Sequence, residues 1–174
     1  MKISIFLIFS FLASVGQWQV FTSEEGAFSV LAPKEMEKSS KSIPTEIGKI
    51  VYNTYSCTFE NDTTAQAFAY VISYCDLPEG SIPADSTAFK STYLEESLES
   101  IRENLDAEVL YQDAIAPKGH MGLIARLAYA NGEGQMKTKI ILAGNRFYSL
   151  QVFMTAQNSL NRDADKFLDS FVLL

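Results

Sequence analysis

The chain has 174 residues, with 14 basic and 21 acidic side chains and a formal charge of −7. That length fits one domain, and twelve Phe and eight Tyr supply enough apolar bulk for a packed core, which excludes a disordered chain. A uniformly acidic surface repels phosphate backbones and anionic lipid heads, so neither nucleic acid nor a peripheral membrane surface is an expected partner.

Residues 1–16, MKISIFLIFSFLASVG, read as an export signal rather than as structure. Lys2 supplies a basic start, an apolar run follows, and Ser14-Val15-Gly16 puts small residues at the −3 and −1 positions of a cut between Gly16 and Gln17. The alternative is retention as an anchor, which needs about 20 consecutive apolar residues. Gly16, Gln17, Gln19, Thr22 and Ser23 make the second half of the uncharged stretch polar, which favours cleavage. The first cysteine is Cys57, so no lipid-attachment site stands at the cut. The expectation is a secreted or periplasmic protein with no stable membrane insertion after cleavage, whose residues 17–174 form a single domain.

From the new N-terminus onward, strand signals dominate. Residues 19–22 and 28–31 flank a Glu24-Glu25-Gly26 turn, and a short edge strand is expected at 38–43. Residues 49–59 and 65–76 form a long hairpin around a turn at 60–63. A loop with two prolines leads to a helix capped by Asp85 or Ser86. In it Phe89, Leu94, Leu98, Ile101 and Leu105 recur on one face, opposite Glu95, Glu96, Glu99, Arg102 and Glu103. Four strands follow at 108–114, 121–130, 135–143 and 146–155, with hairpin links at Asn131-Gly132-Glu133-Gly134 and Gly144-Asn145. A last helix spans 160–169, capped by Ser159, with Phe167, Leu168 and Phe171 turned inward. The order strands, helix, strands, helix is an α+β domain: an antiparallel β-sheet covered by helices. Apolar residues at both parities of the long hairpin predict cover on both sheet faces.

The two cysteines sit on the two arms of that hairpin. With a turn at 60–63, Cys57 faces a residue near Gln66 and Cys75 faces Gly48, which separates the sulfurs by about nine ladder positions, on the order of 30 Å. That is beyond disulfide reach, so two free, buried thiols are expected. His120 is the only histidine and excludes sites built on two imidazoles. Pairing of Cys57 or Cys75 with His120 as nucleophile and base has no supporting motif, and no Gly-x-Ser-x-Gly elbow occurs. Gly132-Glu133-Gly134 lacks the spacing of a phosphate loop. The helix glutamates read as a solvated face rather than a calcium cage, and Asp163, Asp165 and Asp169 as helix-terminus residues. Asn61-Asp62-Thr63 is a glycosylation sequon that matters only in a eukaryotic secretory pathway. Trp18 is expected to pack on the first strand rather than to engage a partner. No cofactor or metal site emerges. The one candidate site is a groove between helix and sheet lined by Tyr52, Tyr55, Tyr70, Tyr74 and Tyr93.

Three stretches carry a family resemblance. Phe21-Thr22-Ser23-Glu24-Glu25-Gly26-Ala27-Phe28-Ser29-Val30-Leu31-Ala32-Pro33 resembles the opening of small exported bacterial proteins. Gly48-Lys49-Ile50 before a tyrosine-rich strand, with Ser73-Tyr74-Cys75-Asp76-Leu77-Pro78, is similar to their middle section. Gly144-Asn145-Arg146-Phe147-Tyr148-Ser149-Leu150-Gln151-Val152, running on to Phe167-Leu168-Asp169-Ser170-Phe171, is similar to their ending. The resemblance is to the PsbP/Mog1-like fold, an α/β/α sandwich, and covers nearly all of residues 17–174. Its named members are accessory subunits of photosystem II and a partner of a small GTPase, so it implies a non-catalytic binding or accessory domain acting on a protein partner in the cell envelope. It carries no catalytic residue. The alternatives from other classes are a carrier for a small apolar or lipid ligand in the helix–sheet groove, and a small hydrolase.

Overall fold

The computed structural model describes residues 18–45, 48–59, 62, 64–83 and 85–174. The leader, its cut between Gly16 and Gln17, and Asn61 and Thr63 of the sequon lie outside the described residues.

Strands β1 (Gln19–Ser23) and β2 (Phe28–Ala32) pair antiparallel, and the chain's last strand joins β2 on its other side to make a three-stranded sheet. The main sheet holds β3 (Glu37–Thr45), β4 (Gly48–Thr58), β5 (Ala69–Asp76), β6 (Glu108–Ile115), β7 (Met121–Tyr129), β8 (Gly134–Ala143) and β9 (Arg146–Thr155). Their order across the sheet is β3-β4-β5-β9-β8-β7-β6, antiparallel throughout. Helix α1 (Thr87–Asn104) lies on one face, against β7 and β8; α2 (Arg162–Asp169), the small sheet and its strand β10 (Val172–Leu173) lie on the other. The layering is an α/β/α sandwich of the α+β class, as expected from the element order.

The β8–β9 hairpin at the sheet's centre forms where glycine permits it. Gly144 takes a φ of +61° in the two-residue link between β8 and β9, as the Gly-Asn pair predicts. Gly122 in β7 allows close approach instead, since a Cβ there would stand 2.5 Å from the Ile140 carbonyl.

The β4–β5 hairpin departs from expectation. Its loop is longer, because Asp62 accepts hydrogen bonds from the Thr64 amide (2.9 Å) and hydroxyl (2.6 Å) and folds the tip into an Asx turn. The Phe59 amide donates to the Phe68 carbonyl, and β5 starts only at Ala69. Cys57 therefore pairs with Tyr70 rather than with a residue near Gln66, and Asn53 with Tyr74, which carries Cys75 to the level of Tyr52 and not of Gly48. Along β5 the thiols are five positions apart, about 16 Å. They also point into different cores, and both are free and buried.

Other ends shift for local reasons. Strand β3 runs three residues longer than expected and is exposed over its whole length, an edge blunted by Lys38, Lys41 and Pro44. Ser86 caps α1 by accepting from the Phe89 amide at 3.1 Å, but Phe89 itself is exposed; Leu94 and Leu98 form the buried stripe. Asn161, not Ser159, caps α2, accepting from the Ala164 amide at 2.8 Å and leaving Leu160 81% exposed. Trp18 packs edge-on to Tyr70 at 5.8 Å, with the Lys166 ammonium 4.4 Å from its centroid, rather than on β1.

Two cores result. Phe28, Tyr55, Tyr70, Tyr74, Tyr148 and Phe167 fill the space between the main sheet, the small sheet and α2. Leu94, Leu98, Leu127, Ile140, Leu142 and Phe147 fill the space under α1. Polar ties hold α2 down: Lys137 donates to Asp165 at 2.7 Å and Lys139 to the Leu168 carbonyl at 2.6 Å. Because α1 sits over β7 and β8, its face of the sheet is left open toward β5, β4 and β3.

Candidate functional site

That open region is a trough of about 360 Å³ between one flank of α1 and the strands β9, β5, β4 and β3. Sheet alternation divides the five tyrosines read from the sequence. Tyr52 and Tyr93 line the trough, while Tyr55, Tyr70 and Tyr74 point through the other face into the aromatic core. Tyr52 and Tyr55 are three residues apart on one strand and cannot share a face. Tyr93 stands edge-on to Phe147, with centroids 5.8 Å apart, and the two rings wall one side.

The floor is polar and was not read from the sequence. Register places Ser39, Thr54, Ser73 and Ser149 in one cross-strand row over β3, β4, β5 and β9, of which Ser73 and Ser149 line the trough. The Thr54 and Ser73 hydroxyls bond one another at 2.8 Å. Ser149 is 8% exposed, lines the trough, and its Oγ has no hydrogen-bond partner among the described residues. Gln151 lies beside it, and Ser97, Ser100 and Asn104 of α1 face it across the trough. Ser97 donates to the Tyr93 carbonyl at 2.7 Å, so its oxygen keeps acceptor capacity. The signal for this floor was Ser and Gln at one parity of an otherwise apolar β9.

No Asp, Glu, Lys, Arg or His lines the trough. Burial pushes the Tyr52 hydroxyl up to about 12, with the nearby Cys75 sulfur adding to the rise, and burial also raises Tyr93. Both tyrosines are neutral at physiological pH. Burial pushes Cys75 up to about 11, against the lowering pull of the Tyr52 hydroxyl, and Cys57 likewise to about 11, against the nearby Lys34. A thiolate is the nucleophilic form of cysteine, and neither thiol ionises near neutrality. His120 sits in the turn before β7, where its amide donates to the Pro117 carbonyl at 2.9 Å.

The opposite edge of the sheet carries a second surface. Val109 pairs with Leu127 and Tyr111 with Arg126, so Leu110 is an extra residue, a β-bulge. The bulge leaves Leu110 and Tyr111 exposed side by side, 41% and 38%, on a strand with no outer neighbour among the described residues. The Arg126 guanidinium lies 5.5 Å from the Tyr111 centroid, and its buried Nε has no hydrogen-bond partner among the described residues. Three consecutive bulky residues, Val109-Leu110-Tyr111, where strand alternation would put only alternate ones on a face, were the available sign. A larger hollow of about 610 Å³ at the end of α1 is lined mainly by loop residues 105–108 and 128–132 and brings together no comparable set.

Among the described residues no three His, Cys, Asp or Glu side chains gather as a metal would need, and no helix is long and apolar enough to cross a membrane. No family model matches the chain, and no curated protein matches it by sequence. The solved structures do give matches. The PA94 protein of unknown function from Pseudomonas aeruginosa is 13% identical, with 86% of this chain and 91% of that chain covered and a TM-score of 0.46. The solution structure of cyanobacterial PsbP (CyanoP) from Synechocystis sp. PCC 6803 is 9% identical and covers 93% of this chain and 95% of that chain, with a TM-score of 0.60. At that identity the likeness is one of architecture, and the architecture of this chain is the PsbP-like fold.

Proposed function

We propose that this protein is an exported, non-catalytic binding module that docks on a protein partner in the cell envelope through the β6 edge. The observation that carries the reading is the pair Leu110 and Tyr111, exposed together by the bulge with Arg126 over the tyrosine ring. Tyr and Arg are the residue types that concentrate binding energy in protein interfaces, and a free strand edge offers backbone groups beside them.

Export rests on the leader and on no lipid-attachment cysteine standing at the cut. A non-catalytic role draws support from two deeply buried thiols held protonated and from a histidine placed in a turn. A carrier role for an apolar or lipid ligand draws less support, because hydrocarbon in the trough would desolvate Ser73, Ser97 and Ser149 without returning hydrogen bonds.

The test is cross-linking in the intact envelope of the source organism, comparing the wild-type chain with Leu110→Ser, Tyr111→Ala and Arg126→Ala. One polypeptide captured at constant stoichiometry, and lost or weakened at least tenfold by Tyr111→Ala, is the expected result. Capture that is indifferent to all three substitutions overturns docking at this edge.

A further inference from the structure

The α1 trough lies at the other side of the sheet from the β6 edge, and its chemistry asks for a different ligand. We propose that it is a binding site for a short, uncharged oligosaccharide, held across the strands by the hydroxyl row and against the aromatic wall.

The argument begins with what the lining excludes. With no charged side chain in it, a phosphate, carboxylate or amine would leave its hydration shell and gain no counter-charge. The raised tyrosines give no phenolate to replace one. An apolar ligand fails for the opposite reason, since the floor is made of hydroxyls. What remains is a neutral molecule with many donors and acceptors and some apolar faces.

Shape and satisfaction narrow it further. The lining crosses four strands, from Ile43 of β3 through Tyr52 of β4 and Ser73 of β5 to Ser149 of β9, which at about 4.8 Å spacing is about 14 Å. A linear glycan advances by about one strand spacing per sugar, so two or three sugars span the trough. Ser149 is the key residue: it lines the trough, and its buried Oγ bonds to nothing among the described residues. Buried polar groups are seldom left so unless a ligand or water completes them. A sugar hydroxyl both donates and accepts, and thus suits Ser149, the remaining capacity of the Thr54–Ser73 pair and the acceptor on Ser97. The rings of Tyr93 and Phe147 offer the apolar surface that the C–H face of a pyranose covers. The amides of Gln151 and Asn104 add fixed donor–acceptor pairs.

The site is testable without knowing the natural glycan. Amide chemical shifts of the mature chain are followed on titration with maltotriose, cellotriose and chitotriose, with glucuronic acid as the charged control. At least one neutral trisaccharide is expected to move the amides of Ser73, Tyr93, Ser97, Ser149 and Gln151 saturably, with micromolar to millimolar affinity, and glucuronic acid to leave them in place. Ser149→Ala is expected to weaken binding about tenfold, the worth of one net hydrogen bond of about 1.4 kcal/mol. Ser100→Trp, at an exposed helix position that tolerates bulk, is expected to close the trough and abolish binding. Silence with all three sugars, shifts that survive both substitutions, or equal response to glucuronic acid each overturns the proposal. None of these outcomes bears on docking at Tyr111, so the two readings fail independently.

Discussion

On the side of the small sheet and α2, alternate residues of β4, β5 and β9 bury Tyr55, Tyr70, Tyr74 and Tyr148 in a continuous aromatic cluster. On the side of α1, the intervening residues of those strands include Tyr52, Ser73, Ser149 and Gln151, and the covering helix stops short of them. One face is finished with rings that seal it, the other with small hydroxyls that leave room. The same backbone supports both because strand alternation makes each face independently designable. The sealed core and the open trough thereby fall on opposite parities of the same strands, and substitutions on the two faces should have different consequences.

The sharpest contrast comes from Phe28. Fully buried, it meets the rings of Phe21, Tyr55, Tyr74, Tyr148 and Phe171 at centroid distances of 5.6–6.3 Å. Phe28→Ala removes the ring on which the small sheet rests, and a cost of about 3–5 kcal/mol is expected. For a chain of this size that lowers the melting temperature by about 10 °C, measurable by calorimetry. A loss below about 1 kcal/mol would mean that the small sheet contributes little, and the division of labour between the faces would fall with it.

How much of this was legible in the chain depended on where local signals decided the outcome. Strand β9 was read to its ends because Gly144-Asn145 fixes its start and alternation runs unbroken. The register of β4 against β5 was not, since Ala65 to Ala67 look like strand yet belong to the loop that Asp62 folds, its side chain accepting from the Thr64 amide and its carbonyl from the Ala65 amide. A side-chain turn, invisible in strand propensity, moved the hairpin by four residues. Of the tyrosine groove only Tyr52 and Tyr93 share the trough, and parity alone already separates Tyr52 from Tyr55. The hydroxyl row was legible in principle, one residue at a time, but only cross-strand register brings Ser39, Thr54, Ser73 and Ser149 into line.

The thiols probe each face once, Cys57 in the aromatic core and Cys75 beneath α1. Both are raised by burial from an ordinary value of 9 to about 11. The unfolded chain therefore loses these protons first as pH rises. The stability they contribute is full below about pH 9 and is lost as pH climbs toward 11, on the order of 1–2 kcal/mol per thiol. Denaturant melts across that range should show the decline, and the Cys57→Ala, Cys75→Ala double variant should flatten it. An unchanged alkaline limb in the double variant would assign the decline to the buried tyrosines instead.

The smallest expected effect is the most informative about the open face. Ser149→Ala deletes a buried hydroxyl that has no partner among the described residues. Ordinarily the loss of a buried polar group costs a hydrogen bond; here there is none to lose, and the desolvation penalty of the hydroxyl disappears with it. The variant should match the wild type within about 0.5 kcal/mol, or exceed it slightly. Ser73→Ala at the neighbouring position is the control, because it orphans the Thr54 hydroxyl now bonded at 2.8 Å and should cost about 1 kcal/mol. The order of the two matters more than either value. If Ser149→Ala is the more damaging, its hydroxyl is bound within the folded chain after all, and the trough is a piece of structure rather than a site kept open. If Ser73→Ala is, an unbonded hydroxyl stands at a buried position where alanine folds as well, which is what the proposed sugar site requires of it.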